Sequence, residues 1–465
     1  MRNLTTKAFW ILFSDGGAKL FGFFTTIYLA RTFGADSYGL IVLALSVLGI
    51  CIWFSDLGIE TLATRAMAAS EPKDRTPARY FWLKVTLSIV VMIISAAFIW
   101  VLLSHNPTLR LLVLLFLISL LPQSLQIQWY YNGIQDFKWI TVANWLQGAV
   151  YLGGLIVIVT SDDLKLVPLI YSFSILIGAF TMLLSYRGKQ SLFNSPDVSK
   201  WTGDIQNSFY LGAGHFMAQS IILLPPIAIG YFFSESDVGY YSAAFKLILV
   251  VMLADRMMNT LLLSNLSKLW SERPKDVSEQ LSMVARWMIV FGSLGTIGLF
   301  FVSSTVIPFL FGADYEAAVF MLKILCFILP VTFLNSVYSY GLISFGKDSL
   351  YMKSTLLGGI CAIAVLLAAG SSSHMNIMLG SVVAAEIVIT LSVYFQFRQT
   401  MRLNIGRFTF IAGVLLAASI ISVIYIPVSS MLKMAIALTG FTTLLYLAGL
   451  IRSDEFEWLK RRIIQ

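Results

Sequence analysis

The chain has 465 residues, of which 58% are hydrophobic and only 12% charged, and its mean hydropathy is +0.82. That balance excludes a soluble enzyme and leaves a polytopic membrane protein. The net charge of +8 fits a basic inner surface facing anionic lipid, so no nucleic-acid partner is needed to account for it.

Apolar runs of roughly 20 residues, the length that crosses a hydrocarbon core, recur along the whole sequence. About 14 are expected: near 9–30, 39–57, 80–103, 109–130, 140–160, 167–186, 208–233, 239–264, 285–307, 318–343, 354–370, 377–397, 408–426 and 432–451. The first is too long for a cleavable signal peptide and carries charges within it. With the N-terminus placed inside, 24 of the 32 lysines and arginines fall in cytoplasmic segments, four (Arg31, Arg110, Lys165, Lys433) in outside loops and four (Lys19, Lys246, Arg256, Lys323) within spans. Short cytoplasmic loops collect such residues, so both termini are expected to be cytoplasmic. The three cysteines, Cys51, Cys326 and Cys361, lie in or beside spans with no metal-ligand spacing and read as packing residues.

The charges inside spans carry the functional signal, because an ionised side chain at mid-bilayer costs roughly 2.5–3.5 kcal/mol and turns to a partner or a watery cavity. Asp15 and Lys19 in the first span are four residues apart on one helical face; they either neutralise each other or line a cleft. Lys246 has no acid three or four residues away in its span. Arg256 and Arg65 are placed nearer the cytoplasmic face, Arg256 with interface anchoring as the competing role. Lys323 reads as snorkelling. Glu386 stands alone in the twelfth span, either a coupling carboxylate or a packed, protonated one. Gly16, Gly17 and Gly22 in the first span, and Gly212, Gly214 and Pro225-Pro226 in the seventh, mark helices able to bend or to pack closely.

An internal repeat organises the chain. Thr32-Phe33-Gly34-Ala35-Asp36-Ser37-Tyr38-Gly39, between the first two spans, has a counterpart in Phe232-Phe233-Ser234-Glu235-Ser236-Asp237-Val238-Gly239, between the seventh and eighth. At the same offset Asp15 meets His215 and Lys19 meets Gln219; Glu71-Pro72-Lys73-Asp74 and Arg273-Pro274-Lys275-Asp276 repeat nearby. An even number of spans between copies gives both halves one orientation, as in transporters whose lobes are related by an axis along the membrane normal. The expected organisation is an all-α protein: a six-helix lobe over 1–187, a cytoplasmic linker over 188–206, a second six-helix lobe over 207–400 related by pseudo-twofold symmetry, and two further helices with a tail over 401–465.

The run Tyr28-Leu29-Ala30-Arg31-Thr32-Phe33-Gly34-Ala35-Asp36-Ser37-Tyr38-Gly39, followed by Leu57-Gly58-Ile59 and Thr64-Arg65, resembles the opening signature of polysaccharide flippases of the O-antigen translocase type. These belong to the multidrug/oligosaccharidyl-lipid/polysaccharide exporter superfamily. Val238-Gly239-Tyr240-Tyr241-Ser242-Ala243-Ala244 with Lys246, and Phe311-Gly312-Ala313-Asp314-Tyr315-Glu316-Ala317-Ala318, are similar to the same family. The resemblance implies two lobes opening alternately to the two membrane faces, with an undecaprenyl-pyrophosphate-linked oligosaccharide passing from the inner to the outer leaflet of a bacterial cytoplasmic membrane through a polar, often cationic cleft. It implies no cofactor, no catalytic or metal residues, and a polysaccharide polymerase and glycosyltransferases as candidate partners beside the lipid-linked substrate and membrane lipids. A pyrophosphate losing its hydration needs cations; the substrate-binding candidates are Lys19, Lys246, Asp15, His215, Arg256 and Arg65, with Glu386 the coupling candidate.

Three rivals remain at this level. A lipid II exporter shares the span number but has a cleft richer in arginine, and a cation-coupled multidrug exporter should show carboxylates in excess. A membrane polymerase or ligase needs catalytic groups outside, where the one acidic pair is Asp162-Asp163. There is no phosphate-binding loop for a nucleotide.

Overall fold

Long apolar runs in lipid leave the backbone no partner for its N–H and C=O groups except within a helix. The chain, seen in a computed structural model, accordingly forms seventeen α-helices and no strand among the described residues. Those residues are 2–68, 76–188, 191–272, 274–372 and 374–450, with side chains described except at 2–15, 210, 211, 215, 218, 221, 256–272 and 274–276.

The helices fall into two compact units, Met1–Ser242 and Ala243–Gln465. The first holds α1 (Arg2–Asp56), α2 (Ile59–Ala68), α3 (Pro77–Leu102), α4 (Pro107–Leu117), α5 (Leu120–Ser124), α6 (Gln128–Ile134), α7 (Phe137–Ile158), α8 (Leu166–Leu184), α9 (Trp201–Phe232) and the start of α10 (Glu235–Glu272). The second holds the rest of α10 with α11 (Pro274–Phe311), α12 (Glu316–Leu325), α13 (Ile328–Ser344), α14 (Asp348–Gly370), α15 (Met375–Thr400), α16 (Gly406–Ile424) and α17 (Ser430–Leu447).

In the first unit α1 packs against α3, α4, α7 and α9. A core of Ile59, Phe81, Trp129, Tyr131 and Met182 gathers α2, α3, α6 and α8. In the second, α11 packs on α13, α16 and α17, and α14 on α15; Ile297, Phe301, Ala412, Phe441 and Leu445 form its core. Apolar side chains also face outward: Ile93, Ile94, Phe98 and Val101 on α3 are all at least 60% exposed, a surface that hydrocarbon accepts and water penalises.

By length and composition, eleven helical stretches can cross a membrane, or twelve if one bent pair counts as a single span. The expected number of about 14 is therefore not reached on this criterion, and three expected spans account for the difference. The first two lie in one stretch, Gly16–Asp56, whose two helical parts meet at Gly34 and whose 41 residues give about 60 Å of helix at 1.5 Å each, twice the hydrocarbon thickness. The seventh lies on α9, where the side chains at 210, 211, 215, 218 and 221 are outside those described, so that the described apolar stretch is Ile222–Phe232. The tenth is the pair α12 and α13, bent by 46°.

The junction between the first two expected spans shows what the repeated Phe-Gly-Ala-Asp run does. Gly34 (φ 71°, ψ 178°) is the one non-helical position inside α1, and Gly312 after α11 has φ 104°, ψ 167°. Both conformations strain any side chain with a Cβ, so each motif ends one helix and re-aims the next.

Candidate functional site

The seven residues singled out in the sequence do not form one described cluster. Lys19 lies on α1, half-buried, and Lys246 lies on α10 in the second unit, also half-buried. Among the described residues Lys246 has no carboxylate within ion-pair distance. Arg65 is exposed on α2. Asp15, His215 and Arg256 are helical positions on α1, α9 and α10, but their side chains lie outside those described. Glu386 is buried on α15, 4% exposed, and accepts a hydrogen bond from Thr332 Oγ1 on α13 at 2.8 Å. Lys323 sits 5.7 Å over the Phe300 ring.

Two ionic constellations were not visible in the sequence. Lys84, counted there among the cytoplasmic cations, is buried on α3 and reaches both Asp56 Oδ1 (3.3 Å) and Glu60 Oε2 (3.1 Å). Asp56 also accepts the N–H groups of Gly58 and Glu60, both at 3.1 Å, across the break where Leu57 and Gly58 take positive φ. It thereby satisfies backbone donors at the start of α2. The signal available was the spacing Asp56-x-x-x-Glu60 around Leu57-Gly58-Ile59; what it lacked was the cation, 24 residues further on. The second is Arg79, whose Nε and Nη2 donate to both oxygens of Asp204, joining the start of α3 to α9 inside the first unit. Such bidentate pairing fixes geometry as well as charge.

The glycines of α1 and α9 act as contact points within the first unit. Gly58 and Gly212 lie backbone to backbone, with no room for a Cβ on either, and Trp53 Nε1 donates to Gly212 O at 2.7 Å. Gly49 and Gly230 are filled against Leu223 and Leu43. α9 runs on through Pro225 and Pro226. On α1, Gly17 seats the Trp145 indole of α7.

Just past the Gly34 kink of α1 the two copies of the repeat meet. A Cβ on Gly39 would strike the carbonyl of Glu235, and one on Gly239 the carbonyl of Ala35. Ser236 hydrogen-bonds Asp36, 200 residues away, and Asn106 Nδ2 donates to Glu235 Oε1 at 3.0 Å. Positions 36 and 236, equivalent in the repeat, thus touch each other.

The acidic pair that a membrane polymerase would need has another role. Thr160 donates to Asp163 Oδ2 through its hydroxyl (2.6 Å) and its N–H (3.1 Å), closing the turn before α8. Those bonds hold the exposed Asp163 carboxyl below the usual carboxylate range, the opposite of what a general acid requires.

The profile of a family described as polysaccharide biosynthesis protein matches residues 4–263. The "Putative O-antigen transporter" of Escherichia coli (strain K12) is 22% identical over 256 residues, 52% of this chain, and the match spans 60% of that relative's length. The lipid II flippase MurJ in an inward closed conformation superposes with a TM-score of 0.75 at 12% identity, over 95% of this chain and 100% of that one. An inward-facing multidrug resistance MATE family transporter of the MOP superfamily superposes with a TM-score of 0.67 at 12% identity, over 82% and 94% of the two chains. At such identities the likeness is one of fold, and it is the all-α polytopic fold expected from the sequence.

Proposed function

This chain belongs to the polysaccharide biosynthesis protein family, and on that premise we propose that it is a flippase for an undecaprenyl-pyrophosphate-linked oligosaccharide. The cargo is an O-antigen or other surface-polysaccharide repeat unit, carried from the inner to the outer leaflet of the bacterial cytoplasmic membrane by alternating access. The observation that carries the reading is Lys246. A cation in the middle of an apolar helix, half-buried and without an ion-pair partner among the described residues, contrasts with Lys84, which two carboxylates neutralise. An unneutralised ammonium at bilayer depth is costly unless an anion visits it. A pyrophosphate diester is such an anion, and charge-assisted bonds to it offset its lost hydration. Lys19, Arg65, Arg256, Asp15 and His215 are proposed to complete the route.

Direction follows from the membrane potential. Moving one charge across 100 mV is worth about 2.3 kcal/mol, so a head group bearing roughly two negative charges is driven outward by about 4–5 kcal/mol with the inside negative. Both termini are proposed to be cytoplasmic, and a polysaccharide polymerase and glycosyltransferases are proposed partners on either side of the transport step. The two six-helix lobes with their linker over 188–206 remain the proposed framework.

The fold likeness to MurJ keeps lipid II as a second cargo. One experiment separates the readings: delete the gene and identify the lipid-linked sugar that accumulates on the inner leaflet. Complementation by Lys246→Arg but not by Lys246→Gln, with both proteins folded, is the expected result. Full export by Lys246→Gln and by Lys19→Ala would discard the cationic route.

A further inference from the structure

One of the membrane-crossing stretches of the first unit is broken from within. Pro107–Ile134 is long and apolar enough to cross as one piece, yet α5 ends at Ser124 and α6 begins at Gln128. Irregular backbone at bilayer depth persists only where protein surrounds it or where it lines a polar space. Gln126 fills the break, 8% exposed, and its Nε2 donates to Oε1 of Gln147 on α7 at 3.0 Å. Gly178 of α8 makes room for the pair, since a Cβ there would stand 3.1 Å from Gln147 Oε1 and 3.3 Å from Gln126 Nε2.

Two amide side chains carry two carbonyl oxygens and two NH2 groups. Their mutual bond uses one of each, and whichever way the amides are turned, one carbonyl and one NH2 group keep no protein partner among the described residues. Tyr151, one turn along α7 on the same i, i+4 row, adds a buried hydroxyl that is likewise unpaired. Apolar side chains of similar shape would avoid the penalty of leaving such groups unbonded. The arrangement therefore serves packing poorly and a hydrogen-bonding ligand well.

The same face of α7 is open. Outward the helix exposes Val142, Leu146, Ala149 and Ile156. At about 100° per residue, Asn144 and Tyr151 lie on the opposite side with Gln147 flanking them, yet all three are half-buried rather than enclosed. Ile140 and Leu155, 5% and 0% exposed, close that face at either end. The open part runs for about two turns, about 10 Å, long enough for one pyranose ring. None of these side chains is charged, so the recess suits a neutral ligand rich in hydroxyls, each of which both donates and accepts. We propose that this recess in the first unit, lined by Gln126, Asn144, Gln147, Tyr151 and Gly178, binds one uncharged sugar ring of the cargo. This role rests on the flippase reading, and it adds a specificity-determining contact separate from the cations that would meet the pyrophosphate.

The test is saturation-transfer NMR on the purified full-length chain, titrated with glucose, galactose, mannose, rhamnose and N-acetylglucosamine, with sorbitol as the open-chain control and no lipid-linked sugar present. Saturable binding of at least one of these sugars is expected, with a dissociation constant on the order of 1 mM. Gln147→Leu and Gln126→Leu should each weaken it at least about tenfold. Tyr151→Phe should weaken it several-fold, which keeps the test decisive if a leucine variant does not fold, and Thr439→Val on α17 should leave it unchanged. Binding of none of the sugars, or binding of sorbitol equal to theirs, would overturn the proposal in favour of a recess that holds only water. Because the readout needs no lipid-linked cargo, sugar binding without glycolipid export would sink only the flippase reading, whereas export indifferent to both leucine variants, with no sugar bound, would sink only this one.

Discussion

Lys84 and Lys246 are chemically identical and both lie in apolar helices, yet their surroundings differ. Lys84 completes a three-charge network whose acids also satisfy the backbone at the α1–α2 break. Removing its charge by Lys84→Met leaves two acids facing each other, both partly solvated. The expected loss is about 1–3 kcal/mol, below the 3–5 kcal/mol of a fully buried broken pair, read as a lower melting temperature. Adding Asp56→Asn and Glu60→Gln to Lys84→Met should recover part of that loss, because no unpaired charge then remains. Lys246→Gln is expected to do the reverse, sparing the melting temperature and lowering export by at least about tenfold, a loss of about 1.4 kcal/mol in head-group stabilisation.

Helix α1 is held along its second half by α9 through small residues, so its stability depends on contacts that a single methyl group disrupts. Gly39→Val must displace backbone at Glu235 and Gly239, and should lower both the melting temperature and export. Gly16→Ala, where nothing lies within 4 Å of an added Cβ, should leave both unchanged. The pairing of α3 with α9 through Arg79 and Asp204 is testable by exchanging the charges. Arg79→Asp and Asp204→Arg should each destabilise, and the double variant should restore part of the loss, giving a coupling energy of about 0.5–3 kcal/mol in a double-mutant cycle. Coupling near zero would make the ion pair incidental to how these helices are joined.

For the whole molecule, the proposed orientation predicts which loops face water on which side. A cysteine at Asn194 in the linker should label only from the cytoplasmic face, and one at Asp163 or Ser372 only from outside, in a background lacking Cys51, Cys326 and Cys361; the reverse pattern would invert the assigned direction of transport. Class and helical content were legible because they follow from quantities that add along the chain, hydrophobic run length above all, and the two-lobed exporter fold was implied by the resemblance that the motifs around Gly34 and Gly312 carry. The repeat was equally legible, since its two copies keep one offset, and positions 36 and 236 do meet. The span number is less sharply written, because the chain kinks at Gly34 within α1 and bends by 46° between α12 and α13 without an interrupting polar loop.

Local order in the sequence determined that this protein is a bundle of membrane-crossing helices carrying a few deliberate charges, since a backbone in lipid has no other way to satisfy itself. Which charges cancel and which stay open was decided only by tertiary structure. Lys84 finds acids 24 and 28 positions away, Arg79 finds Asp204 at a separation of 125, and Glu386 is met by a threonine 54 positions earlier. Electrostatic partnership depends on distance in space, and helices folded against one another bring together residues that no spacing along the chain relates.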